Sequence, residues 1–142
     1  MRFVVDASVV LASFLGEARA GDADLVLDQV SADTCVVPGH WRLEIGNVLT
    51  RDYRRKRLSE SEVLALAKNG RRLEPKVDLD TDDAALNETT RLSLKHSLTA
   101  YDAAYLELAL REQAELATFD GRLADAALAE GVTLMVSKVA NQ

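Results

Sequence analysis

Phe3-Val4-Val5-Asp6, running straight into the apolar stretch Ala7 to Leu15, decides how this chain folds. Three consecutive apolar residues closed by a carboxylate have the form of a strand buried on both faces, the form found in parallel sheets covered by helices. The form recurs at Thr34 to Val37, stopped by Pro38-Gly39, at Lys76 to Leu79, at Glu115 to Phe119, and as a fifth strand at Val132 to Met135. Helices are expected between them. The first covers Ala7 to Leu15 and closes near Gly16; the second covers 22–30, with Leu25, Val26 and Val30 at helical spacing. Two longer ones follow over 40–56 and 59–73, the latter opened by the capping-box pattern Ser59-Glu60-Ser61-Glu62. Helices over 82–95, 100–113 and 121–130 complete the series. Short strands alternating with helices predict an α/β fold, a three-layer α/β/α sandwich around a central, mainly parallel five-stranded sheet.

The 142 residues make one domain, 1–142, with no linker, repeat or biased segment to divide them. With 48% hydrophobic and 28% charged residues, 7 Gly and 2 Pro, the chain has the composition of a globular protein, not a disordered or fibrous one. Its single cysteine, Cys35, excludes an internal disulfide framework and a cysteine-built zinc site, and reads as a buried core thiol. Asp and Glu outnumber Lys and Arg 23 to 17, for a net charge of −6. That balance argues against a binder drawn to nucleic acid by global charge, but not against a metal enzyme with its acids gathered in one site. No stretch has the ~20 apolar residues needed to span a bilayer. Arg2, the run Val9 to Leu15 and Ala18-Arg19-Ala20 mimic a signal peptide, yet Asp6 and Glu17 interrupt the pattern, and the expectation is a cytoplasmic protein without a membrane role.

In parallel sheets, ligands bind outside the carboxyl ends of the strands. Asp6 and Asp120 both follow strands there, although Asp is also a preferred helix N-cap. Glu44 falls on one helical stripe with Trp41, Ile45, Val48 and Leu49, where a carboxylate needs a partner or must take up a proton. Asp102 completes the capping-box pattern Thr99-Ala100-Tyr101-Asp102 and also begins the apolar stripe Tyr105, Leu106, Ala109. Each acid alone has a bland reading as cap or ion pair. Together they supply two strand-end carboxylates and two from inward helix faces, a set of hard oxygen donors that makes chemical sense around a divalent cation. No Ser–His–Asp arrangement competes, and His40 and His96 read as ordinary polar residues.

Val4-Val5-Asp6-Ala7-Ser8, Leu43-Glu44-Ile45-Gly46-Asn47-Val48-Leu49, Tyr101-Asp102-Ala103-Ala104-Tyr105 and Leu116-Ala117-Thr118-Phe119-Asp120 occur in order, with Leu123 to Ala127 behind them. In this the chain resembles PIN-domain ribonucleases, specifically the VapC toxins of bacterial toxin–antitoxin pairs, over residues 3 to about 135. The resemblance implies an endoribonuclease dependent on Mg²⁺ or Mn²⁺, held in check by a cognate VapB-type antitoxin and assembled as a homodimer. It carries the family's acidic quartet onto Asp6, Glu44, Asp102 and Asp120, as catalytic residues and metal ligands. Ser8 and Thr118 match supporting hydroxyls, Asn47 matches a structural position, and Asp125 is a lesser candidate for the fourth acid. The implied reaction is in-line attack of metal-activated water on an RNA phosphodiester, leaving 5′-phosphate and 3′-hydroxyl ends. The surplus of apolar helix surface between residues 7 and 73 suits a helical antitoxin segment.

The run Arg51-Asp52-Tyr53-Arg54-Arg55-Lys56-Arg57 packs five bases into a helix end. It reads as a solvated C-terminus complementing the helix dipole, or as a contact to RNA or antitoxin through Arg51, Arg54, Arg55 and Arg57. Two other functions compete with the nuclease. A phospho-acceptor receiver domain would use Asp78 or Asp80 as acceptor and Lys138 after the last strand, leaving Glu44 and Asp102 without a role. A PIN-like module that binds RNA or a partner without cutting would not need an intact quartet.

Overall fold

The computed structural model describes residues 2–135. Its sheet has four parallel strands, β1 (Phe3–Val5), β2 (Cys35–Val37), β3 (Lys76–Val77) and β4 (Glu115–Ala117), in the order β3-β2-β1-β4. Phe3 pairs with Cys35 on one side and Glu115 on the other, which fixes β1 at the centre. Val4, Val5, Cys35, Val36, Val37, Leu116 and Ala117 are all buried, as strands covered on both faces require. The fifth expected strand, 132–135, is reduced among the described residues to an isolated parallel bridge between Leu134 and Leu116. Backbone bonds from Leu116 to Thr133 and from Met135 to Leu116 hold it there, too few pairs to make a ladder. Lys138 lies outside the described residues.

Two helical groups flank the sheet. The first comprises α1 (Ala7–Phe14), α2 (Ala20–Leu27), α3 (Trp41–Arg54) and α4 (Glu60–Arg71). The second comprises α5 (Thr81–Ala85), α6 (Glu88–His96), α7 (Ala100–Glu112), which packs on β1 and β4, and α8 (Gly121–Ala129). The capping box at the start of α4 forms as its sequence predicts: Ser59 Oγ accepts from the Glu62 N–H, and the Glu62 carboxylate accepts from the Ser59 N–H. The single helix expected over 82–95 is instead α5 and α6. Asn87, at φ −134° and ψ −107°, breaks the run, and Leu86 points into solvent. A charged network fastens α7 to the end of β3: Arg111 donates to both oxygens of Asp78, at 2.9 and 2.8 Å, and to Glu107. Asp78 is thereby engaged, and its carboxyl is held below the ordinary range by the Arg111 guanidinium, so it is no open acceptor. Cys35 is fully buried, and burial pushes its thiol up to about 12. No helix among the described residues is long and apolar enough to cross a membrane.

Strand order places the connections leaving β1 and β4 on opposite sides of their shared boundary. That boundary is the switch point at which a doubly wound sheet opens a crevice at its carboxyl edge.

Candidate active site

Asp6 leaves β1 at that crevice. It stands at the N-cap of α1, yet its side chain makes no cap hydrogen bond. Its Oδ2 instead accepts from the hydroxyls of Ser8, at 2.8 Å, and Thr118, at 2.7 Å. The capping reading of this residue fails on that geometry. Ser8 Oγ also accepts from the Phe119 N–H, and Thr118 Oγ1 from the Asp120 N–H, so both hydroxyls tie the start of α1 to the end of β4. Asp6 is fully buried, and burial together with the neighbouring Glu44 and Asp102 charges raises its carboxyl to about 7 against the pull of the two hydroxyls.

Glu44 and Asp102 arrive from the two helical groups. Glu44, in the first turn of α3, is half-buried, and its Oε1 accepts from the Tyr105 hydroxyl of α7 at 2.7 Å. Tyr105 is itself buried, and its phenol is driven far up by that burial and by the adjacent carboxylates, so it remains a donor. Asp102 lies in the first turn of α7, where its N–H donates to the capping hydroxyl of Thr99 at 3.1 Å. Burial, and then the charges of Asp120 and Glu44, raise its carboxyl. Capping through the backbone leaves its side chain facing the crevice.

One oxygen from each of Asp6, Glu44 and Asp102 lies within 4.8 Å of the others. Asp120 is not in that group. It acts on Asp102 through its charge, while its Oδ1 caps α8 by accepting from the Arg122 and Leu123 N–H groups. The structure thus brings three of the four acids together and sets the fourth at their margin as a helix cap. Asp125 lines a different groove with His96 and Arg122. Asn47 is exposed on α3.

Sequence reasoning passed over two neighbours. Tyr105 anchors Glu44, and its place three residues after Asp102 on one stripe was the available signal. His40 packs its ring against Tyr101 and Tyr105, at centroid distances of 5.5 and 5.3 Å, and its Nε2 stands 3.5 Å from Glu44 Oε1. Its i,i+4 spacing to Glu44 was legible. His96 is a structural residue, paired with Glu130 at 2.7 Å. Among the described residues no Lys or Arg forms an ion pair with Asp6, Glu44 or Asp102. Three gathered carboxylates, one buried and two half-buried, without a Lys or Arg partner and offering only hard oxygens, fit a divalent ion.

The fold and the rim define a class: parallel α/β proteins with a trio of acids gathered at the carboxyl edge. The family model for the PIN domain matches residues 3–128. Over 126 residues the chain is 30% identical to Ribonuclease VapC3 of Pyrobaculum aerophilum, covering 88% of this chain and 94% of that protein. The chain belongs to the PIN-domain family and is of its VapC type. Two solved structures share the fold. PAE2754 of Pyrobaculum aerophilum is 22% identical, with a TM-score of 0.66 over 89% of this chain and 79% of that one. VapC20 of Mycobacterium tuberculosis, a toxin that cleaves the sarcin–ricin loop, is 20% identical, with a TM-score of 0.64 over 87% and 94%.

Proposed function

We propose that this protein is a divalent-metal-dependent endoribonuclease and the toxin of a VapBC-type pair. The observation that carries the reading is the uncompensated trio Asp6, Glu44 and Asp102 at the carboxyl rim of the sheet. These three would hold Mg²⁺ or Mn²⁺, with Asp120 adding charge at the margin. When bound, such an ion orients a water, lowers its pKa and offsets charge building on a phosphate. The chain's own residues prepare the ligands. Ser8 and Thr118 both donate to Oδ2 of Asp6 and so fix the orientation of its carboxylate. Tyr105 in the same way fixes the Glu44 carboxylate by donating to its Oε1. The supporting hydroxyls fix orientation before the ion arrives, which spares rearrangement when it does.

Ribonuclease VapC3, of the same family and 30% identical, supports RNA as the substrate. The toxin role, a cognate VapB-type antitoxin, a homodimeric state and a cytoplasmic location belong to the same proposal. The test is cleavage of a panel of structured RNAs by a nuclease-free preparation with Mg²⁺, with Mn²⁺ and with EDTA. Cutting only with metal is the expected result. Full cleavage in excess EDTA overturns the metal site, and binding without cutting in Mn²⁺ leaves a non-catalytic PIN-like module.

A further inference from the structure

His40 immediately precedes α3, one helical turn before Glu44, and its C=O accepts from the Glu44 N–H at 3.0 Å. It stands at the N-cap, yet its side chain makes no cap hydrogen bond. The ring is turned inward instead, its side chain 18% exposed, and packs against Tyr101 and Tyr105 of α7. The contact with Tyr105 is edge-on, with the ring planes at 68°. Among the described residues, the buried Nε2 of His40 has no hydrogen-bond partner. It stands 3.5 Å from Glu44 Oε1, the same oxygen that accepts from the Tyr105 hydroxyl at 2.7 Å.

A buried nitrogen left unpaired costs stability, and an apolar ring would fill the slot beside the two tyrosines without that cost. Packing alone therefore does not account for a histidine here. What Nε2 faces points to its role. A lone pair on it would oppose the lone pairs of a carboxylate, whereas a hydrogen on it would oppose an acceptor, so the tautomer carrying its hydrogen on Nε2 is favoured. At 3.5 Å the contact is too long for a full hydrogen bond, and a shift of roughly 0.5 Å closes it. A carboxylate oxygen has two lone pairs, so Oε1 can accept from Tyr105 and His40 together. His40 is not one of the three residues whose ligand atoms lie within 4.8 Å of one another. It therefore reaches a cation through Glu44 and not as a ligand itself.

We propose that His40 is a positioning residue of the acid site: its Nε2–H and the Tyr105 hydroxyl converge on one oxygen of Glu44 and fix that carboxylate for a divalent cation. The proposal rests on the metal-site reading of the acid rim. Its test measures Mn²⁺ binding by the full chain without RNA, followed through the electron paramagnetic resonance signal of the free ion, with thermal melts in EDTA to verify folding. H40F keeps an aromatic ring beside the tyrosines but has no donor. H40N keeps an amide too short to reach Glu44, and H40Q carries an amide N–H to about the place of Nε2. H40F and H40N should each raise the Kd for Mn²⁺ about tenfold, the usual loss when the residue supporting a ligand is removed, and H40Q should recover most of it. Because both donors act on one oxygen, the fold-loss in H40F/Y105F should be smaller than the product of the two single losses.

H40Q as impaired as H40F, or more so, makes His40 a packing residue and overturns the proposal. An unchanged Kd in folded H40F or H40N overturns it as well and leaves the metal site standing, since the unaltered chain still binds Mn²⁺. Nitrogen modulation in the electron spin echo of bound Mn²⁺, present in the unaltered chain and lost in H40F, would make His40 a ligand and overturn the positioning role; none is expected. An unaltered chain that binds no Mn²⁺ sinks the metal-site reading and this proposal together.

Discussion

Asp6 shows how much a single side chain decides. Its carboxyl ionises near 3.8 in the unfolded chain and at about 7 in the fold. Between those values the folded protein keeps a proton that the unfolded one has released. Stability of the metal-free protein therefore falls as pH rises from about 4 to about 7, and the deficit, on the order of a few kcal/mol, is complete above 7. Melts in EDTA across that range should show the decline, and Asp6→Asn should flatten it. The variant should melt above the unaltered chain at pH 8 while losing RNA cleavage. Asp102 permits a second test, because its cap bond runs through the backbone and its charge does not. Asp102→Asn should melt at or above the unaltered metal-free protein and gain little from millimolar Mn²⁺. A lower melting point with a full response to Mn²⁺ would make Asp102 a structural residue.

At the scale of elements, α7 carries both Asp102 and the Tyr105 hydroxyl that fixes Glu44, so the definition of its first turn is part of the site. Thr99 supplies that definition by accepting from the Asp102 N–H. Thr99→Ala should lower stability by about 1 kcal/mol, the usual cost of a lost N-cap, yet keep the rise in melting temperature with Mn²⁺. Set beside Asp102→Asn, it separates the cap from the ligand. Helix boundaries were legible where a cap wrote them, as at Ser59 and Thr99. They were not legible at Asn87, where the periodicity runs on but the backbone turns, leaving Leu86 in solvent. The two-residue β3 and the lone bridge at Leu134 fall short for a related reason: strand length is set by the neighbour's reach, not by the apolar run itself.

For the whole molecule, a cation that binds only the folded state stabilises it by RT ln(1 + [L]/Kd), about 2.7 kcal/mol at a hundredfold excess over Kd. Cys35 offers a direct readout, since its thiol is buried at the sheet's centre and pushed up to about 12. Labelling of Cys35 by a thiol reagent at neutral pH should follow unfolding of the domain, and a hundredfold excess of Mn²⁺ over Kd should slow it by about a hundredfold. Labelling at an unchanged rate would mean that no cation is linked to the fold.

The sequence by itself determined the parallel α/β architecture, because buried strands such as Phe3-Val4-Val5 leave no polar face to expose, and it singled out the acids by their place at strand ends and on apolar stripes. What it left open for each acid was whether a cap or an ion pair accounted for it or a metal did, because one dimension shows no partners. The tertiary structure supplied the partners. It turned Asp6 away from its own helix toward Ser8 and Thr118, kept Asp120 as a cap, and brought Tyr105 across 61 positions of chain to Glu44. It likewise set Arg19 over Phe119 and divided the basic cluster between two grooves. Those are contacts between distant segments, fixed by strand order and helix packing, and local patterning carries no record of which side chains will meet.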